Sequence, residues 1–89
     1  MNYLISYDHS ENYDTEDITN AILSISNGCA KLLKSTWIIK HKGKASDIRN
    51  CLKPHLGIGV KLIVVKLHRE AAWSTSLDHD CKLWLEIYF

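Results

Sequence analysis

The sequence lacks the features that would indicate disorder, a membrane span or a disulfide framework. It contains one proline and four glycines among 89 residues and has no low-complexity run, as expected for a globular domain. Neither a leader segment nor a long apolar stretch is present. Its three cysteines are an odd number without Cys-x-x-Cys spacing, which argues against paired disulfides and a zinc ribbon. We therefore expect one reduced, cytoplasmic domain over residues 1–89, without membrane association.

Positive charge is absent from the first thirty residues. Residues 1–30 carry five acids and no lysine or arginine, whereas residues 31–69 carry eight lysines and two arginines against Asp47 alone. Residues 70–89 are acidic again, with four acids against Lys82. Such segregation can form a basic face for nucleic acid, or the blocks can fold against each other and neutralise. We favour neutralisation, because clustering along the chain does not guarantee a patch in space.

Aromatic and β-branched residues predict three strands. The first covers residues 2–8, and the second covers about 32–40. The strongest covers 60–67 and is apolar on both faces through its middle, which predicts a central position in the sheet. With a helix between each pair, two consecutive β-α-β units predict parallel neighbouring strands and helices on one face of a small α+β sandwich.

Two helices are predicted between these strands. The first begins at Asp14 or Thr15 and ends at Asn27-Gly28. The second begins near Ser46, is distorted by Pro54 and closes at Gly57. The inward-facing positions are Ile18, Ala21, Ile22 and Ile25 in the first helix, and Ile48, Cys51, Leu52 and Leu56 in the second.

The C-terminal extension, residues 68–89, fits either a helix or a strand. Leu83, Leu85, Ile87 and Phe89 alternate as in a strand. The residues that share a helical face are Leu77, Cys81, Trp84, Leu85 and Tyr88, with Asp78 as the cap. We predict the helix. The aromatic end should dock on its own domain or on a partner, so Trp84, Tyr88 and Phe89 are predicted interface residues. Trp37 could stack on bases, but in a strand it more often belongs to the core or to a dimer interface, and we include it among the predicted interface residues.

Several sequence blocks between residues 2 and 67 carry a family resemblance. They are Tyr3–Asp8, Ser35–Lys40, Asp47–Arg49, Leu52–Leu56 and Lys61–Leu67. Together they resemble a group of short bacterial and phage proteins often labelled the SinR family. That group in turn is similar to the small CRISPR-associated adaptation protein, the second Cas protein (Cas-two-like).

This resemblance implies a ferredoxin-like βαββαβ fold that forms a homodimer. In the Cas relatives, the aspartate that ends the first strand lies near its two-fold mate, and the pair is proposed to hold a divalent metal for phosphodiester hydrolysis. The matching residue is Asp8, which the resemblance makes the candidate catalytic residue and the candidate ligand of Mg²⁺ or Mn²⁺. The fold also requires one extra short strand, which we expect at about Lys40–Ala45.

Residues around Asp8 offer further ligands and an important difference. Glu11, Asp14, Glu16 and Asp17 could supply oxygen ligands, but helix capping explains most of them, and Asp8 itself could simply cap its strand. His9 is the one histidine with a plausible site role. The relatives follow their aspartate with arginines, whereas residues 9–14 are acidic here and would repel phosphate unless metals intervene.

The remaining site candidates are basic or mixed. Lys40, Lys42 and Lys44 could contact nucleic-acid phosphates or form a solvated turn. Residues 78–81 contain ligand-type atoms in a row but read as a helix cap. The sequence thus leaves three functions open: a metal-dependent nuclease acting on RNA or DNA, a non-catalytic module binding nucleic acid or a protein partner, and a toxin or antitoxin-like regulator.

Overall fold

The computed structural model describes residues 1–8 and 15–89. The strands are β1 (Asn2–Tyr7), β2 (Cys29–Leu33), β3 (Thr36–Lys40) and β4 (Leu62–Lys66). The helices are α1 (Thr15–Ile25), α2 (Ala45–Leu52) and α3 (His79–Tyr88), and a 3-10 turn (Lys53–His55) follows α2 directly. These elements form a small α+β fold with a four-stranded antiparallel sheet and three helices.

The sheet order is β2-β3-β1-β4, and every pair of neighbouring strands is antiparallel. The prediction of parallel neighbours is wrong. The strands that a helix joins, β1 with β2 and β3 with β4, do run parallel, but a third strand lies between the members of each pair. The predicted strand at 32–40 is in fact parts of two strands, which a turn at Lys34-Ser35 separates.

Two predicted strand positions are also wrong. The extra strand is β2, which precedes β3, whereas residues 41–44 form the connection into α2. The strand predicted to be central, β4, lies at an edge. The first strand is central, since it pairs with both β3 and β4, and it has Tyr3, Ile5 and Tyr7 buried on one face and Leu4 half-buried on the other.

The main core lies between α1, α2 and one face of the sheet, in agreement with the predicted helix layer. The strands contribute Tyr3, Ile5, Tyr7, Trp37 and Ile39, and the helices contribute Ile18, Ile22, Ile48 and Leu52. Cys51 is exposed, so its predicted inward position is wrong. Burial of this apolar surface is the main force that holds the layers together.

Glycine and proline end both helices of this layer near the predicted positions. Gly28, three residues after the end of α1, has φ +152°, a backbone conformation that disfavours residues with a Cβ. Pro54 lies in the 3-10 turn, where the regular α-helix has already ended. The distortion predicted for this residue is therefore confirmed.

The third helix covers part of the opposite face of the sheet. Its buried residues are Cys81 and Leu85, and Ile38 points to this face from β3 and is 1 % exposed. The Cys81 thiol donates a hydrogen bond to the Lys31 carbonyl of β2 at 3.1 Å. The prediction of a helix that begins after Asp78 is confirmed, and the extension adds a second, smaller apolar layer to the fold.

Candidate nucleic-acid interface

Asp8 follows β1 directly and is exposed at the surface. Its Oδ2 accepts a hydrogen bond from the Lys61 backbone amide at 3.3 Å, and its own amide donates to the Lys61 carbonyl at 3.2 Å. Asp8 therefore fastens the end of β1 to the start of β4. This is the strand-end role that the sequence offered as the alternative to metal binding.

The described part of the chain does not gather a cluster of metal-ligand side chains at Asp8. Mg²⁺ and Mn²⁺ prefer several oxygen ligands. Within residues 1–8 and 15–89, no group of three or more His, Cys, Asp or Glu side chains is placed to hold a metal. The candidates His9, Glu11 and Asp14 lie outside the described residues. A second copy of Asp8, as the resemblance implies, is the other source of carboxylate oxygen.

The other acidic candidates have structural roles. The Asp17 carboxylate lies 2.9 Å from His55 Nδ1 and links α1 to the 3-10 turn, while Glu16 lies in the first turn of α1. Both members of the Asp17–His55 contact are substantially exposed, so its contribution to stability is small.

Burial, together with the nearby Asp78 and Asp80 carboxylates, raises the pKa of the Cys81 thiol, which disfavours the thiolate needed for metal ligation or nucleophilic attack.

The three predicted phosphate-binding lysines have different surroundings. The Lys40 ammonium lies 4.9 Å from the centre of the Tyr88 ring on α3, a cation–π contact that already engages its charge. Lys42 and Lys44 are exposed, and the Lys44 backbone amide donates to Asp47 Oδ2 at 3.1 Å at the start of α2. The connection itself is held firmly, because the Tyr3 hydroxyl donates to the Gly43 carbonyl at 2.6 Å.

The predicted interface aromatics divide between the core and the surface. Trp37 is 5 % exposed, and its Nε1 donates to the Tyr7 hydroxyl at 3.2 Å, so it stabilises a single chain and leaves little surface for a partner. Trp84 and Phe89 are half-buried. Tyr88 packs on Trp84 with ring centres 5.3 Å apart and remains 50 % exposed. The tail therefore docks on its own domain and leaves one aromatic ring accessible.

The structure gathers another set of cations that the sequence reading did not single out. Arg49 of α2 and Lys53 of the following 3-10 turn are both exposed and line a cavity of about 420 Å³ together with Leu62 of β4. Lys61, directly before β4, and Lys66, its last residue, are also exposed, on opposite faces of the sheet. We call Arg49, Lys53, Lys61 and Lys66 the basic edge.

The side chains of the basic edge form no close ion pair within the described part of the chain, although the Asp8 carboxylate accepts a hydrogen bond from the Lys61 backbone amide. There, none of its side chains lies within 4 Å of an Asp or Glu oxygen, and Arg49 instead donates to the Asn50 side-chain oxygen at 3.2 Å. The charge block of residues 31–69 and the four-residue spacing of Arg49 and Lys53 were signals in the sequence. What the sequence did not reveal was that α2 packs beside an edge strand with lysines at both ends.

A second surface feature is an apolar groove of about 330 Å³ on the sheet face that α3 covers. Its walls include Leu4, Ile38 and Leu85, and Trp73 contributes from the preceding segment with 38 % of its surface exposed. The groove contains few polar groups that could orient a reacting molecule.

No protein-family model matches this chain, and comparisons with curated proteins and with solved structures also find no match. Among residues 1–8 and 15–89, none of the helices has the length and apolar character needed to cross a membrane.

Proposed function

We propose that this chain is a ferredoxin-like, Cas-two-like protein that forms a homodimer and binds RNA or DNA through the basic edge. The observation that carries this proposal is the cavity that Arg49 and Lys53 line beside β4, together with the exposed Lys61 and Lys66 at the two ends of that strand. Lysine and arginine at an exposed surface bind the phosphate backbone and release its counterions, which is the main source of sequence-independent affinity.

The topology supports the ferredoxin-like part of the proposal. The elements of residues 1–67 follow the order β1-α1-β2-β3-α2-β4, and the two strands at the centre of the sheet are β1 and β3. Each helix joins two parallel strands that enclose a third, antiparallel strand. This arrangement is two interlocked split β-α-β units with both helices on one face.

The chemistry of the basic edge favours contact with the backbone over contact with bases. Trp37 is buried, and Tyr88 lies on α3, which packs beside β2 and so near the sheet edge opposite β4. Stacking on bases requires an accessible aromatic ring next to the charged groove. Among the described residues, the cavity that Arg49 and Lys53 line contains no aromatic side chain, so we expect binding with little preference for sequence.

Binding can be tested directly by fluorescence anisotropy with a labelled single-stranded RNA and a labelled DNA duplex. We expect the logarithm of the association constant to fall linearly as the logarithm of salt concentration rises from 50 to 200 mM, because phosphate contacts release counterions. Affinity that does not change over this range would contradict binding through the basic edge, as would the absence of binding at low salt.

A metal-dependent nuclease centred on Asp8 is a second candidate function. It is favoured by the position of Asp8, which is exposed and hydrogen-bonded to Lys61 of the basic edge, so a phosphate held there would come near a carboxylate. Bound Mg²⁺ or Mn²⁺ would supply Lewis-acid activation of the phosphoryl group. In that reaction Asp8 would hold the metal, and Lys61 would help hold the substrate.

The nuclease candidate predicts that RNA or DNA cleavage requires Mg²⁺ or Mn²⁺ and disappears in Asp8→Asn. The matched control is Asp47→Asn, which removes an exposed carboxylate from α2. Cleavage that persists in Asp8→Asn would remove this residue from the mechanism. Circular dichroism of both variants would show that the fold is retained.

A further inference from the structure

The outer side of β4 is unpaired in the described part of the chain. The strand lies at the end of the sheet order. The Lys61 carbonyl and the Leu67 amide bond toward β1, to Asp8 and Asn2 respectively. Because backbone groups alternate sides along an antiparallel strand, the amides and carbonyls at positions 62, 64 and 66 point outward.

The middle of β4 has no feature that would prevent another strand from pairing with it. Residues 62–65 contain no charge, proline or glycine, and edge strands commonly use charges, prolines or bulges to avoid such pairing. Ile63 and Val65 point to the sheet face opposite α1 and α2, and they are 56 % and 40 % exposed. They are β-branched apolar side chains on an open edge.

We propose that β4 pairs antiparallel with β4 of a second copy of this chain, about a two-fold axis at Val64. This inference rests on the homodimer of the proposed function and assigns the surface that forms it. In this register Val64 lies opposite its own copy, and Leu62 lies opposite Lys66. Three hydrogen-bonded residue pairs then form, with about six backbone hydrogen bonds in total.

Other symmetric registers are less favourable. Residues that face each other across a ladder must point to the same side of the sheet, so the two-fold axis must pass through a residue and not between two residues. Moving the axis from Val64 to residue 63 or 65 is the smallest shift and keeps the most overlap between the two strands. Either shift leaves two hydrogen-bonded pairs within β4, or about four bonds. The axis at Val64 therefore satisfies the most outward backbone groups.

The side chains are self-complementary in the same register. Ile63 of each copy lies opposite Val65 of the other, which forms a continuous apolar row across the seam and covers surface that is exposed in one chain. Lys66 faces Leu62, and Lys61 faces Leu67, so no lysine is placed directly opposite another. The two basic edges become neighbours and form one basic surface.

This pairing also determines where the two Asp8 residues lie. Asp8 is bonded to Lys61, three positions from the axis, so the two Lys61 residues are separated by six strand positions, or about 20 Å. Each Asp8 therefore lies at a different end of the seam. A metal shared by both Asp8 carboxylates requires a different dimer, which makes the two arrangements distinguishable.

The first test is Val65→Lys, with Leu33→Lys as the matched control. Leu33 is 63 % exposed on β2, the opposite edge of the same sheet. Sedimentation equilibrium should show the dimer dissociation constant rising about tenfold or more for Val65→Lys, because two cross-strand apolar pairs are lost, and little change for the control. An equal dissociation constant in wild type and Val65→Lys would overturn the β4 pairing.

The second test does not depend on a destabilising change. In a Cys51→Ser background, Ile63→Cys combined with Val65→Cys places thiols on directly opposite residues, about 4.5 Å apart between Cα atoms, which suits a disulfide. Mild oxidation should give a covalent dimer, whereas Leu33→Cys in the same background should not. If the protein sediments as a dimer but does not form this cross-link, the β4 pairing is wrong and the proposed homodimer is retained. A wild-type protein that is monomeric at all concentrations overturns both, while the anisotropy titration decides nucleic-acid binding separately.

Discussion

Neutralising the two helical cations of the basic edge should flatten the salt dependence of nucleic-acid binding. In the double variant Arg49→Gln/Lys53→Gln, two phosphate contacts are lost while the side chains keep their exposed positions. On duplex DNA each contact contributes a slope of about −0.9 in log K against log salt, so the slope should become less steep by about 1.8. Over the fourfold change from 50 to 200 mM, wild type should lose about 12-fold more affinity than the variant.

The measurement is an anisotropy titration at four salt concentrations, with Lys34→Gln/Lys82→Gln as the control of equal charge. Lys34 lies in the turn between β2 and β3, and Lys82 lies on α3. Both are therefore removed from α2 and β4. We expect the control to keep the wild-type slope with at most a uniform loss of affinity. If the two double variants have the same slope, the charge of the whole protein drives binding, and the basic edge is not the binding surface.

Three further predictions concern the fold that supports this surface. Leu85→Ala should lower the free energy of unfolding, measured in urea, by about 2–4 kcal/mol, because Leu85 is 5 % exposed. Its control, Leu83→Ala, should lower it by less than about 1 kcal/mol, because Leu83 is 42 % exposed. Equal losses in the two variants would show that α3 does not pack as described. Gly28→Ala should cost more than about 1 kcal/mol because of its φ of +152°, and a neutral result in the same urea assay would contradict that backbone conformation. Iodoacetamide should alkylate the exposed Cys51 well before Cys81, because Cys81 is buried and its thiol pKa is raised. Mass spectrometry after limited reaction measures the order, and earlier alkylation of Cys81 would contradict its burial.

Local structure could be predicted from the sequence where short-range physics determines it. Apolar spacing placed Ile18 and Ile22 correctly on the buried face of α1, and Gly28 and Pro54 marked the ends of regular helix. These effects depend on neighbours within a few residues. The helical C-terminal extension also followed from its apolar period.

Strand order could not be predicted in the same way. An apolar run such as 60–67 fits a central strand, but it also fits an edge strand that exposes apolar side chains. The strand β4 is of the second kind, because it lies at an edge and exposes Ile63 and Val65. The turn at Lys34-Ser35 contains neither glycine nor proline, so the division of one predicted strand into β2 and β3 left no strong local signal. Pairing between distant segments decided both features.

The candidate site was only partly visible for the same reason. The basic block was evident along the chain, but the position of Arg49 and Lys53 beside β4 depends on how α2 and the 3-10 turn pack. Lys40, in contrast, has the expected charge at the expected turn, yet it contacts Tyr88 of a helix more than forty residues later. The lysines predicted from charge alone, Lys40, Lys42 and Lys44, are therefore a different set from the basic edge.

The central position of β1 has a consequence for how the chain folds during synthesis. β1 is made before its partners at 36–40 and 62–66, so it stays unpaired on one side until β4 has been made. Contacts of such long sequence separation slow folding, because a large loop must close before they form. Tyr3, Ile5 and Tyr7 are consequently exposed early in translation, and we expect this nascent chain to be most vulnerable to aggregation before β4 emerges.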